Sequence, residues 1–181
     1  MKHIISFSVL LAIGISALSQ PPTGFTTSAK IYLVRHAEKD TGNNPSLTDD
    51  GKKRAGDLMR ALKNKNIQRI YVTQYKRTQM TGDSLRLQLG IDTLHYLADT
   101  TGLDVYNKII SNADGGKNIL IIGHSNTVPK IIKKLGGESI VPFLIPDTEF
   151  DNLYVLQYKR KKVKLKKMKY GKASGNSASM K

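Results

Sequence analysis

The 181-residue chain contains no cysteine. That excludes a disulfide framework and a lipid-bearing cysteine, so the domain must hold together by its hydrophobic core alone. Acids are also scarce. Asp plus Glu total 14 against 29 Lys plus Arg, a net charge of +15. Ten of those cations, and no acid, fall between Lys159 and Lys181. A membrane-spanning run is missing at the N-terminus. Ile4 to Leu18 is uncharged and mostly apolar, but its fifteen residues fall short of the ~20 that a spanning helix needs. With Lys2 before it and Ala17-Leu18-Ser19 at its end, this stretch has the form of a signal peptide over 1–19. The expectation is export to a periplasm or the medium after cleavage, with no stable membrane insertion afterwards.

What remains is enough for one domain with a proper core. Residues 20–29 are polar, with Pro21 and Pro22, and are expected to be a linker. Residues 30–170 form the domain, and the Gly/Ser-rich 171–181 a disordered tail. Within the domain, strand-like and helix-like segments alternate. Ile31 to Val34, Ile70 to Thr73 and Asn118 to Ile122 are short, β-rich and apolar, as strands covered on both faces are. Between them, Ala55, Leu58, Met59 and Leu62 trace one stripe of a helix that Thr48 would cap. Further helices are expected over about 77–88, 103–111 and 127–135, and a short edge strand near 94–97, carrying His95. Leu153 to Tyr158 and Val163 to Tyr170 should pair as a hairpin. The pattern predicts a three-layer α/β/α sandwich with a largely parallel central sheet.

Three of the predicted strands end in chemistry. The first runs into Arg35-His36, the second is followed by Arg77, and the third ends in Gly123-His124. Ligands of open α/β sheets bind at the carboxyl ends of the strands. If the three strands are parallel neighbours, two Arg and two His meet at one edge. No carboxylate is fixed there by the same spacing, so the edge should be strongly positive and suited to a phosphate ester. The helix opening near Thr127 would turn its positive end to the same place.

These residues carry a resemblance. Leu33-Val34-Arg35-His36-Ala37-Glu38, Leu47-Thr48-Asp49-Asp50-Gly51, Tyr75-Lys76-Arg77-Thr78-Gln79-Met80-Thr81 and Ile122-Gly123-His124-Ser125 resemble, in order, the four signature segments of the histidine phosphatase (phosphoglycerate mutase-like) superfamily. The resemblance implies a metal-independent phosphatase that needs no cofactor. His36 would attack phosphorus and carry it as phosphohistidine until water hydrolyses it. Arg35, Arg77 and His124 would cradle the non-bridging oxygens. Two His with flanking Arg and no third ligand argue against a metal site.

The family's general acid usually lies between the second arginine and the second histidine. No Glu occurs there; Asp83, Asp92, Asp99, Asp104 and Asp114 do. The expectation falls on Asp104, ahead of Asp99, with the further alternative that there is no acid. Asn43, in the loop after His36, and Ser125 and Asn126, after His124, are candidate substrate contacts. Only 46 residues separate Arg77 from His124, leaving no room for the long insertions of the mutases. The substrate should be a small phosphate ester or a phosphorylated protein. A second possibility is a non-catalytic phosphate or polyanion binder on the same fold. The basic C-terminal segment has few aromatic residues to stack on bases, so no specific nucleic acid is expected.

Overall fold

The computed structural model describes residues 24–25, 28–137, 142–159 and 162–174. The expected signal segment, 1–19, lies outside these residues. The order of elements is β1 (Lys30–Arg35), α1 (Asp49–Leu62), β2 (Arg69–Thr73), α2 (Lys76–Leu89), β3 (Thr93–Tyr96), α3 (Leu103–Ser111), β4 (Ile119–Gly123), α4 (Val128–Lys134), β5 (Asn152–Lys159) and β6 (Lys162–Lys169).

The six strands form one sheet in the order β3-β2-β4-β1-β5-β6. The first four are mutually parallel. β5 and β6 are added antiparallel at one edge. His95 is exposed on β3, at the opposite edge.

Alternation along each strand fills two cores. Ile31 and Leu33 of β1, with Ile119 and Ile121 of β4, pack beneath Val105 and Ile109 of α3 and Ile131 and Ile132 of α4. Tyr32 and Val34, with Leu120 and Ile122, face Leu58 and Leu62 of α1 and Leu85 of α2. Both faces are covered, which is why the parallel strands read as unbroken apolar runs. This is the predicted α/β/α sandwich. α1 starts as expected: the Thr48 hydroxyl accepts from the Gly51 N–H at 3.1 Å, while Asp49 and Asp50 lie in the first turn, where negative charge is favoured.

Two expected boundaries move. Part of the supposed linker belongs to the domain: Ala29 is buried, and the Phe25 ring stacks on Tyr158 at 4.9 Å. The tail beginning at Gly171 is also held at its start, because Ser174 is bonded to Phe150 and Asp151. Residues 175–181 lie outside the described residues.

Candidate active site

β2, β4 and β1 lie side by side, and Arg35 is in register with Gly123. The expected convergence at their carboxyl ends therefore occurs. The His36 N–H donates to the Gly123 carbonyl at 2.9 Å, extending the β1–β4 ladder by one residue and seating the imidazole over the strand ends. The His36 and His124 ring centroids are 5.4 Å apart.

His36 is buried, 3% exposed. Its Nδ1 lies 2.8 Å from the Ala37 carbonyl. A carbonyl only accepts, so Nδ1 carries the proton and Nε2 keeps its lone pair. Burial pushes the His36 pKa down to about 3; His124, Arg35 and Arg77 lower it further, against the bond to Ala37. His36 is thus neutral at physiological pH.

His124 is held by β2 and α2. Its Nε2 is 3.1 Å from the Thr73 hydroxyl, which bonds in turn to Thr78. When the Thr73 hydroxyl donates to Nε2, Nδ1 carries the proton. Nδ1 is buried without a hydrogen-bond partner among the described residues. Burial, with Arg77 and Arg35, lowers the His124 pKa to about 4. The His124 N–H is capped by the Thr127 hydroxyl at 2.9 Å. A Cβ at Gly123 would come within 2.9 Å of that same hydroxyl, so the residue before His124 must be small.

Arg77 stands in the first turn of α2, with its guanidinium 4.3 Å above the Tyr75 ring. The Tyr75 ring also meets His124 edge-on at 5.3 Å. One tyrosine thus spaces an arginine from a histidine. Arg77 Nε is buried with no hydrogen-bond partner among the described residues. Arg35, 6% exposed, donates to the Pro146 carbonyl at 2.8 Å and to Asp147 at 3.0 Å, and its guanidinium lies 4.3 Å from the Phe150 centroid. The expectation of an edge without carboxylates is corrected here: the loop before β5 brings Asp147 to Arg35.

The signature loop after His36 is built by close approach. A Cβ at Gly51 would lie 2.0 Å from the Glu38 carbonyl, so only glycine lets α1 begin so near the loop. Glu38 itself is gripped by Arg54 through both carboxylate oxygens at 2.7–2.8 Å. Arg54 lies four residues before Leu58, on the buried stripe of α1. A cation on an apolar stripe is a sequence signal that a buried acid must meet it.

The candidate acids go elsewhere. Asp104 Oδ2 accepts from the Leu97 N–H at 2.7 Å and lies 3.6 Å from Lys108. Asp99 accepts from the backbone of Thr101, Gly102 and Asp104. These bonds outweigh its burial and hold its pKa at about 2. Both are bound up in the turn into α3, so the proton-donor role expected of Asp104 has no support in its bonding. Among the candidate contacts, Asn43 and Asn126 are exposed, and the Ser125 carbonyl accepts from Ile145. Asn44, next to the predicted Asn43, ties the loop to α2 by accepting from the Lys76 N–H at 2.9 Å.

Two histidines and two arginines thus meet at the carboxyl end of the parallel strands, an arrangement whose chemistry can hold a tetrahedral oxyanion. The model of the histidine phosphatase superfamily (branch 1) matches residues 31–99. No curated protein sequence matches the chain. Among solved structures, the protein histidine phosphatase SixA, complexed with tungstate, superposes with a TM-score of 0.57 at 18% identity, covering 77% of this chain and 96% of that one. A candidate phosphohistidine phosphatase SixA from Agrobacterium tumefaciens gives 0.60 at 18%, covering 79% and 99%. A mycobacterial glucosyl-3-phosphoglycerate phosphatase complexed with VO3 gives 0.57 at 11%, covering 76% and 96%. The matched segment is similar to the histidine phosphatase superfamily, and the fold is shared with the superposed phosphatases.

Proposed function

We propose that this protein hydrolyses phosphomonoesters through a phosphohistidine formed on His36. The observation that carries the reading is the Nδ1 contact with Ala37. It fixes the tautomer whose Nε2 lone pair is the nucleophile, and burial keeps that nitrogen unprotonated. In the first step Nε2 attacks phosphorus, the N–P bond forms, and the ester P–O bond breaks. The leaving oxygen takes a proton from solvent or from a side chain. In the second step water attacks phosphorus, the N–P bond breaks, and phosphate leaves. Arg77 and His124 face the transferring oxygens with unused donors, and Arg35 reaches them once Asp147 gives way. Charge placed in advance around those oxygens stabilises the transition state without reorganisation. The superposed phosphatases bound to tungstate and VO3 support an oxyanion as the ligand of this fold.

The test is turnover of an aryl phosphate by the chain from Gln20 onward, in EDTA, beside His36→Ala. Acid-labile, base-stable phosphate on the protein should accompany turnover and vanish with His36. Inertness across a broad phosphoester panel, with no trapped phosphohistidine, would refute the reading and leave a phosphate-binding protein.

A further inference from the structure

The wall of the site beside Arg35 is the loop from Pro146 to Asp151. Arg35 donates to Pro146 and Asp147 in this loop and stacks on Phe150. The Phe150 ring is also 6.4 Å from the His36 ring. Three of these loop residues, Pro146 to Thr148, are exposed, so the loop needs fixing at both ends. At its start, Ile145 is buried and donates to the Ser125 carbonyl.

At its far end the fixing comes from the last described residues of the chain. The Ser174 hydroxyl accepts from the N–H groups of Phe150, at 2.8 Å, and Asp151, at 3.1 Å. It donates to Asp151 Oδ1 at 2.7 Å, which uses its full hydrogen-bonding capacity. The Ser174 N–H donates to Asp151 Oδ2 at 3.2 Å. The Asp151 side chain is 4% exposed and also receives Lys169 at 2.8 Å. Two residues earlier, the Lys172 carbonyl accepts from Arg54 at 2.9 Å, and Arg54 is the residue that grips Glu38 of the signature loop. Residues 172–174 are therefore clasped to both loops that flank His36. A solvated tail has no reason to place a serine hydroxyl on two consecutive backbone N–H groups.

We infer that Ser174, with Asp151, is a positioning residue of the phosphate site. It latches the C-terminal segment over the Pro146–Asp151 loop and so sets where Phe150 holds the Arg35 guanidinium. The inference rests on the proposed phosphate site, and it adds that the site is complete only when the chain is present through Ser174. A side chain acting through another at this distance should alter binding geometry more than fold.

The experiment compares wild type, Ser174→Ala and Ser174→Thr in the chain from Gln20 onward. Hydrogen exchange reads the latch, and calorimetric titration with inorganic phosphate reads the site. In Ser174→Ala the Phe150 and Asp151 amides should exchange faster. Phosphate should bind about fivefold more weakly, because only part of the loss of the three hydroxyl bonds reaches the Arg35 guanidinium. KM for an aryl phosphate should rise more than kcat falls. Ser174→Thr keeps the hydroxyl and should restore all three. Unchanged exchange in Ser174→Ala overturns the latch. Faster exchange with unchanged phosphate affinity reduces Ser174 to a structural cap and also overturns the inference. Weakened phosphate binding in Ser174→Ala, in a wild-type chain that hydrolyses nothing, sinks the phosphatase reading alone. A wild-type chain that binds no phosphate sinks both.

Discussion

The parallel strands and the antiparallel edge supply the site in different ways. β1, β4 and β2 each end at the site and hand it its histidines and arginines directly: Arg35 and His36, His124, and Arg77 just beyond. β5 and β6 hand it nothing from a strand end. Their contribution is the loop before β5 and the segment after β6, which place Asp147 and Phe150 against Arg35. Parallel strands align their carboxyl ends by construction, so chemistry placed there is positioned by the sheet itself. A loop has no such support. Here it is secured by a buried residue, a stacked arginine and the Ser174 latch.

If the division is right, damage to the strand-end set should be far larger than damage to the edge set. Loss of the proposed nucleophile in His36→Ala should lower kcat/KM by roughly 10⁴-fold or more, the scale seen in enzymes that carry a covalent intermediate. Arg77→Ala should follow at about 10²–10³-fold, the scale of losing a preorganised donor at the transferring oxygens. The Arg77 side chain makes no ion pair or hydrogen bond to protein among the described residues, so the melting temperature of Arg77→Ala should hardly move. Steady-state kinetics on an aryl phosphate, with a thermal melt, checks both. A Arg77→Ala loss of less than tenfold would erase the contrast with the edge.

The same division governs what the sequence reveals. The four charged residues are legible because each lies within a few residues of an apolar strand that the pattern already marks. The sandwich is legible because its strands are unbroken apolar runs between amphipathic helices. The wall is not. Asp147 meets Arg35 across 112 residues of chain and Ser174 meets Asp151 across 23. Both contacts depend on where a loop comes to rest, which no local periodicity encodes. For a proton donor the sequence points to the stretch between Arg77 and His124. The aspartates favoured there, Asp99 and Asp104, are instead bonded to the turn into α3. A short polar side chain at a loop-to-helix junction looks the same in sequence whether it caps the helix or reaches for substrate.

The two halves should also differ in acid. His36 and His124 are held near 3 and 4, chiefly by burial. An unfolded histidine titrates near 6.5, so as pH falls below that value the unfolded chain takes up protons that the folded chain refuses. Stability contributed by these two neutral rings is whole above about pH 6.5 and is lost progressively down to their folded values. Asp151, in the edge half, goes the other way. Burial would raise its pKa, but Lys169 and Ser174 outweigh it and hold the carboxyl below its ordinary value. Its contribution is whole above about pH 4 and is lost only as pH falls further. Thermal melts from neutral pH to about pH 4.5 should therefore show a decline that comes from the histidines. His36→Asn should flatten part of that decline, while Asp151→Asn should leave its slope unchanged. Equal slopes in wild type and His36→Asn would show that His36 is not the buried neutral ring described here.

The smallest expected effect is at Asp147. Its carboxylate is 3.0 Å from Arg35, but its side chain is 88% exposed. An ion pair so open to water is weak and screened by salt. A phosphate entering the site would compete with Asp147 for the same guanidinium and meet its charge at close range. Asp147→Asn removes the competitor and should tighten inorganic phosphate and lower KM by roughly two- to fivefold, with kcat little changed. The gain should shrink as salt is raised, because it arises from an exposed charge. The opposite result would be as informative. If kcat falls while KM stays fixed, and falls further for an alkyl ester than for an aryl ester, Asp147 protonates the leaving oxygen. The antiparallel edge would then supply chemistry as well as position.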